Sequence, residues 1–135
     1  MAAFLFQHAC KQAGHSVAVL SMGTLNITGR SAHPHAIEAL APWHIDLTPH
    51  RSQGVSLGIL AHADVIVAMA AKHRRSIVSA SPQLASKIRL MSEFDPERGT
   101  PVDIDDPVDG TLEDFIVCRD RLWRCIQHWT GVSNP

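Results

Sequence analysis

The run Asp64-Val-Ile-Val-Ala-Met69 is the clearest buried strand in the sequence. It is short, it is apolar after its first residue, and its consecutive β-branched residues favour an extended backbone. Helical patterns flank it on both sides, from Ser56 to His62 and from Ala70 to Ala80. Strands that alternate with helices are typical of a parallel sheet. The stretch therefore predicts an α/β layer fold.

Two further strands and two further helices extend this pattern. Ser16-Val-Ala-Val-Leu20 has the length and composition of a second buried strand, and Ile88-Arg-Leu-Met91 is a weaker candidate. The N-terminal helix is predicted from Ala2 to Ala13, and Gly14 suits the position just after its end. Another helix is expected to begin at Pro34, because proline is well tolerated at the first helical position.

The last predicted helix has the most complete set of signals. Thr111 can cap its start, and Asp114, three residues later, completes a pattern like a capping box. Its apolar residues form one stripe at helical spacing: Phe115, Cys118, Leu122, Ile126 and Trp129. The segment before it, Glu93 to Gly110, is dense in Asp, Pro and Gly and is predicted to be largely loop.

Length and composition predict one globular domain over residues 1–135, with 45% apolar and 19% charged residues. The net charge is −1, and the small basic cluster from Lys72 to Arg75 is interpreted as a solvated helix face, so no nucleic-acid partner is expected. No apolar run approaches the roughly 18 residues of a membrane span. With no signal-peptide pattern and only three scattered cysteines, the expected compartment is the cytoplasm.

Several stretches, in order and at compatible spacings, resemble the low-molecular-weight protein tyrosine phosphatases. They cover nearly the whole chain: Met1–Phe6, Ser21–Thr24, Pro34–Leu40, Ile45–Leu47, His50–Ser52, Ala63–Met69 with His73 beyond it, and Asp106–Pro107 with Gly110 and the helix from Asp114 to Trp123. The Pro34–Leu40 stretch is closest to the bacterial branch, which includes protein-arginine phosphatases.

The resemblance implies a flavodoxin-like parallel sheet with helices on both faces, and phosphoryl transfer through a phosphocysteine without a cofactor. The nucleophile and a phosphate-binding arginine lie in a Cys-x5-Arg-Ser/Thr loop between the first strand and the first helix. Backbone N–H groups there hold the phosphate and lower the thiol pKa. By the same resemblance Asp106 is the general acid. The alternative for Asp106 is a loop aspartate that caps a turn.

In the family this phosphate loop comes directly before the stretch that resembles Met1–Phe6. The chain as given is therefore predicted to lack the first, central strand, the nucleophile and the arginine, and to be catalytically inactive, with Asp106 vestigial. Val108 also replaces an aromatic residue that lines the substrate entrance in the family. Two alternatives remain open. In the first, the true start lies upstream and the protein is an active phosphotyrosine or phosphoarginine phosphatase acting on phosphoproteins. In the second, the chain is a non-catalytic interaction module that borrows the missing strand from a partner.

The cysteines that are present offer no replacement nucleophile. Cys118 and Arg124 have the formal Cys-x5-Arg spacing, but they lie within the predicted last helix, whose backbone N–H groups are already bonded. Cys118 also belongs to the apolar stripe, so a core cysteine is the preferred interpretation. Cys10 is followed five residues later by Ser16, with no arginine.

Two expectations concern metals and partners. The nine histidines do not have the close spacing of a zinc site, so no metal is expected. A missing central strand would separate Val17–Leu20 from Val65–Met69 and leave both edges unpaired. These strands are then expected either to close onto each other or to pair with a second copy of the chain in a homodimer.

Overall fold

The computed structural model describes residues 1–97 and 102–132. Its helices are α1 (Ala2–Gln12), α2 (Pro34–Leu40), α3 (Leu57–His62), α4 (Ala71–Ala80) and α5 (Leu112–Thr130). Its strands are β1 (Ile66–Ala68) and β2 (Ile88–Leu90), and short 3₁₀ turns cover Ala41–Trp43, Pro82–Lys87 and Met91–Phe94.

The sheet is parallel and is covered by helices on both faces. β1 pairs with β2 in the register Ile66 to Ile88, and α4 connects the two strands. Side chains of a strand alternate between its faces, and here Ile66 packs in a cluster with Ile77 of α4. Val67 packs instead on the larger core formed with α1, α2 and α5. The predicted α/β fold with a parallel sheet is confirmed.

Local capping explains why the helices begin where the sequence predicts. Pro34 opens α2 at its first position. The Ser56 side chain accepts a hydrogen bond from the Ile59 N–H at the start of α3. At α5, Thr111 and Asp114 form a reciprocal capping box. The caps at Ser56 and Thr111 each satisfy a backbone N–H that has no partner inside the helix, and Pro34 has no N–H to satisfy.

The larger core is built around α5 and joins distant parts of the chain. Phe115, Leu122 and Ile126 of the predicted stripe are buried. At the end of the helix, Trp129 stacks on Phe94 with ring centroids 4.2 Å apart and lies 4.7 Å from the ring of Phe6. α5 thereby holds α1 and the segment after β2 in one apolar unit.

The prediction of a buried strand at Ser16–Leu20 is wrong. The segment is irregular, and Val17 and Leu20 are 41% and 65% exposed. The nearby strand-like contact is a single parallel bridge between Gly23 and Gly54. β-propensity is realised only when a neighbouring strand supplies hydrogen bonds and packing, and the described sheet contains only β1 and β2. The expected closure of Val17–Leu20 onto β1 therefore does not occur in the single chain.

The predicted loop from Glu93 to Gly110 is largely irregular in its described part, after the 3₁₀ turn that ends at Phe94. Residues 98–101 of this loop lie outside the described residues.

Candidate active site

The segment 102–107, called here the acid loop, lies at the carboxyl end of β1. The Ile104 N–H donates to the Met69 carbonyl at 2.8 Å. The Asp103 carboxylate accepts from the Ala71 N–H at 2.7 Å, at the start of α4. In open α/β sheets, ligands bind outside the carboxyl ends of the strands. The acid loop therefore occupies the edge of the sheet where a substrate would be expected.

Asp106, the one predicted site residue, is exposed on this loop. Its Oδ1 accepts a hydrogen bond from the Val108 N–H at 3.2 Å. This is the turn-capping interaction that the sequence left open as an alternative. The interaction fixes the direction of the side chain without removing the carboxyl group from solvent, so a capping role and an acid role are compatible.

The first turn of α1 lies in the same neighbourhood as Asp106. Burial lowers the pKa of the Met1 amino group, and the nearby acidic groups of Cys118 and Asp106 oppose that shift. Burial also lowers the pKa of His50, with smaller contributions from the positive Met1 amino group and Arg51. The His50 ring makes an edge contact with Phe4, at 6.0 Å between centroids. The Asp106 carboxyl group and the His50 imidazole thus each lie within electrostatic range of the Met1 amino group at the start of α1.

The three cysteines all lie in helices and have the properties of thiols rather than thiolates. Burial raises the pKa of Cys118 to about 11, and its Sγ lies 3.7 Å from the Asp105 carbonyl oxygen. Burial likewise raises the pKa of Cys125, which is fully buried, to about 11. The pKa of Cys10 is raised by burial too. A nucleophilic cysteine needs a lowered pKa, so the structure supports the exclusion of Cys118 and Arg124 as a phosphate loop.

An ion-pair network beside the acid loop was missed from the sequence. Its centre is the Asp95 carboxylate, which is 1% exposed. Arg124 donates to it from Nε at 2.8 Å and from Nη2 at 2.9 Å, and Arg121 approaches from Nε at 3.4 Å. The hydrogen bond from Arg124 is the main reason why the pKa of Asp95 is lowered. The signal for this network in the sequence was the pair of arginines three residues apart beside the buried stripe of α5.

His33 has a structural role at the start of α2. The His33 Nδ1 accepts from the His35 N–H at 3.1 Å and so caps α2, while its ring stacks on Phe115 at 4.7 Å. Within residues 1–97 and 102–132, no group of three or more His, Cys, Asp or Glu residues is arranged to hold a metal ion. Nor is any helix in those ranges long and apolar enough to cross a membrane.

Fold and site together define an α/β domain with a candidate acid at the carboxyl end of its parallel sheet. The model of the low molecular weight phosphotyrosine protein phosphatase family matches residues 1–132, and the chain belongs to this family.

Its relatives include phosphatases of two named specificities. The chain is 31% identical over 122 residues to the protein-arginine-phosphatase of Bacillus subtilis, covering 90% of this chain and 79% of the relative. The solved low molecular weight protein tyrosine phosphatase from T. tengcongensis is 30% identical, with a TM-score of 0.87 over 96% of this chain and 87% of that one. A second solved structure is a YwlE arginine phosphatase in which serine replaces a cysteine and the active-site serine is phosphorylated. It has a TM-score of 0.88 and 28% identity, over 96% of this chain and 84% of that one.

Proposed function

We propose that the 135 residues form the acid-bearing part of a phosphomonoesterase site, with Asp106 as general acid, and that they do not hydrolyse phosphomonoesters by themselves. Activity requires a Cys-x5-Arg-Ser/Thr loop joined to Met1. A chain that carries this loop is the active phosphotyrosine or phosphoarginine phosphatase that the family predicts, acting on phosphoproteins. The free thiols agree with a cytoplasmic site of action.

The proximity of the start of α1 to Asp106 is the observation that carries this proposal. A phosphate loop joined to Met1 would enter α1 at its N-terminus, where unpaired N–H groups and the helix dipole favour a phosphate. Asp106 lies near that point: Met1 and Cys118 pack on the same core, the Cys118 Sγ lies 3.7 Å from the carbonyl oxygen of Asp105, and the charge of Asp106 acts on the Met1 amino group. A cysteine held there would take the phosphoryl group from the substrate as the bond between phosphorus and the leaving oxygen or nitrogen breaks, and Asp106 would donate a proton to that leaving atom.

The size of the required rate enhancement explains why a general acid alone is insufficient. General acid catalysis contributes typically about 10²–10⁴-fold, whereas enzymes supply up to ~10²¹-fold for phosphate-monoester hydrolysis. The difference must come from a nucleophile and from a cradle for the phosphate charge. All three cysteines of the sequence are held in α1 or α5 with raised pKa values.

Two chains test the proposal: the 135-residue chain, and one preceded by a strand and a Cys-x5-Arg-Ser-Pro loop. Para-nitrophenyl phosphate, phosphotyrosine and phosphoarginine serve as substrates. The shorter chain is expected to match background, and the longer one to turn over. Asp106→Asn in the longer chain should lower kcat by about 10²–10⁴-fold, while Asp109→Asn serves as the loop control. Turnover by the shorter chain that disappears in Cys118→Ser would contradict the proposal.

A non-catalytic interaction role is the second candidate, supported by the open edge of the sheet. In the described residues, no backbone hydrogen bond joins the second edge of β1 to a further strand. Val65, next to this edge, is 48% exposed. We propose that two copies pair through such edges in a homodimer. Light scattering over a hundredfold concentration range should show a dimer, and the longer chain, with its edge filled, should remain a monomer. A monomer in both cases would exclude the homodimer.

A further inference from the structure

The acid loop is fixed from two sides, and only one side belongs to the sheet. Toward the sheet, the Ile104 N–H and the Asp103 carboxylate bond to the backbone at Met69 and Ala71. On the opposite side, Arg121 of α5 donates from Nη1 to the Asp103 carbonyl oxygen at 2.8 Å. This last bond connects the loop to the Asp95 network.

We infer that Arg121 is a positioning residue, which holds the acid loop so that Asp106 stays aimed at the site beside the start of α1. The inference rests on the proposed function of Asp106. It does not require Arg121 to touch a substrate, because the guanidinium acts through the backbone of Asp103, three residues before Asp106.

The rigidity of this support comes from the buried carboxylate behind it. Asp95 is 1% exposed and is held by two short hydrogen bonds from Arg124, so it provides a fixed anchor. Arg121, 16% exposed at its side chain, reaches Asp95 with Nε and Asp103 with Nη1. A planar guanidinium can bridge two acceptors in fixed directions, whereas a lysine ammonium cannot reproduce that geometry.

Arg124 offers a matched control on the same helix. It binds the same carboxylate more closely than Arg121 does, and its second partner is Glu97, 3.0 Å from its Nη1 and outside the acid loop. Replacing Arg124 should therefore weaken the Asp95 anchor and the stability of the domain. Replacing Arg121 should in addition release the loop itself.

The deciding experiment is amide hydrogen exchange of the 135-residue chain, with each rate divided by that of the buried Ile126 amide in α5. In Arg121→Gln, the relative exchange of the Ile104 and Ala71 amides is expected to rise about tenfold or more, the size of one lost hydrogen bond to a charged group. In Arg124→Gln these ratios should rise by clearly less than in Arg121→Gln, because the bond from Arg121 to the Asp103 carbonyl remains while only the anchor behind it is weakened. If Arg121→Gln does not fold, Arg121→Lys should show the same selective loss. Equal changes in the Gln variants of the two arginines, or none in the Arg121 variants, would overturn the inference.

A second measurement links this loosening to chemistry in the chain that carries the added strand and loop. Arg121→Gln should lower kcat with little change in KM. It should also make the additional decrease in kcat caused by Asp106→Asn smaller than in the parent, because an acid that is already misplaced contributes less to kcat. An unchanged kcat in a loosened loop would contradict the positioning role. If the longer chain is inactive, the proposed function fails, while the exchange ratios still decide whether Arg121 holds the loop.

Discussion

Two apolar runs with similar sequences have different structures. Ile66–Ala68 is a strand, with Ile88 opposite Ile66 in the neighbouring strand and helices on both faces. Ser16–Leu20 has a similar β-branched composition but is irregular and largely exposed. The difference lies in their surroundings, because only the first run has a partner strand within the described residues. Strand formation here depends on a neighbour rather than on local preference.

Supplying the missing neighbour should have the largest effect on this comparison. We expect the chain with an added N-terminal strand and loop to be more stable by several kcal/mol, since Val17 and Leu20, now exposed, would be covered by the added strand, and full burial of such a side chain contributes about 1.5–3 kcal/mol. Hydrogen exchange at Val17 and Val19 should slow markedly, because their N–H groups gain partners. Urea unfolding and exchange measure both effects. A Gly/Ser extension of equal length is the control, and equal stabilisation by it would show that no specific strand is involved.

Truncating one residue in each of the two apolar runs should lower the free energy of unfolding by different amounts. Ile66 is 6% exposed and packs with Ile77, so Ile66→Ala should lower the free energy of unfolding by about 2–5 kcal/mol. Val17 is 41% exposed, and Val17→Ala should cost less than about 0.5 kcal/mol. Both values come from chemical denaturation. A loss above about 1 kcal/mol for Val17→Ala would mean that this segment packs against something in solution.

The smallest of the three expected effects concerns stability at acid pH and the buried Asp95 carboxylate, which Arg124 holds. The folded pKa of Asp95 is lowered, chiefly by Arg124, so its stabilising contribution is fully present above the unfolded pKa of about 3.9. That contribution is lost as the pH falls through 3.9 toward the folded pKa. Asp95→Asn should lower the free energy of unfolding at pH 7 by about 1.5–3 kcal/mol and flatten the pH dependence below pH 5. Asp109→Asn, at an exposed position, should do neither. If the free energy of unfolding of Asp95→Asn fell with decreasing pH in parallel with that of the parent, Asp95 would not control acid stability.

The helices followed from the sequence wherever the determining interactions are local. The capping box at Thr111 and Asp114 spans three residues, and Pro34 needs only its own ring to favour a helix start. The location of Asp106 in a loop was predicted from the Asp-, Pro- and Gly-rich composition of Glu93 to Gly110, whereas its place at the carboxyl end of β1 was not. Its role as general acid stays a prediction.

Non-local interactions account for what the sequence did not predict. Asp95 and its arginines are 26 and 29 residues apart, so no short pattern connects them. The prediction at Ser16–Leu20 was wrong for the related reason that its outcome depends on a partner outside the segment. The bond from Arg121 to Asp103 could not be found before the loop and α5 were placed together.

The stack of Trp129 with Phe6 and Phe94 has a consequence for the order in which the domain can assemble. These rings come from the beginning, the later middle and the end of the chain, and they meet at the last turn of α5. During synthesis α1 emerges long before Trp129, the aromatic partner of its Phe6. Pairings so distant in sequence slow folding and leave apolar surface uncovered meanwhile. We therefore expect nascent chains that end before α5 to need protection by a chaperone, and release of residue 129 to set the earliest moment at which the core can close.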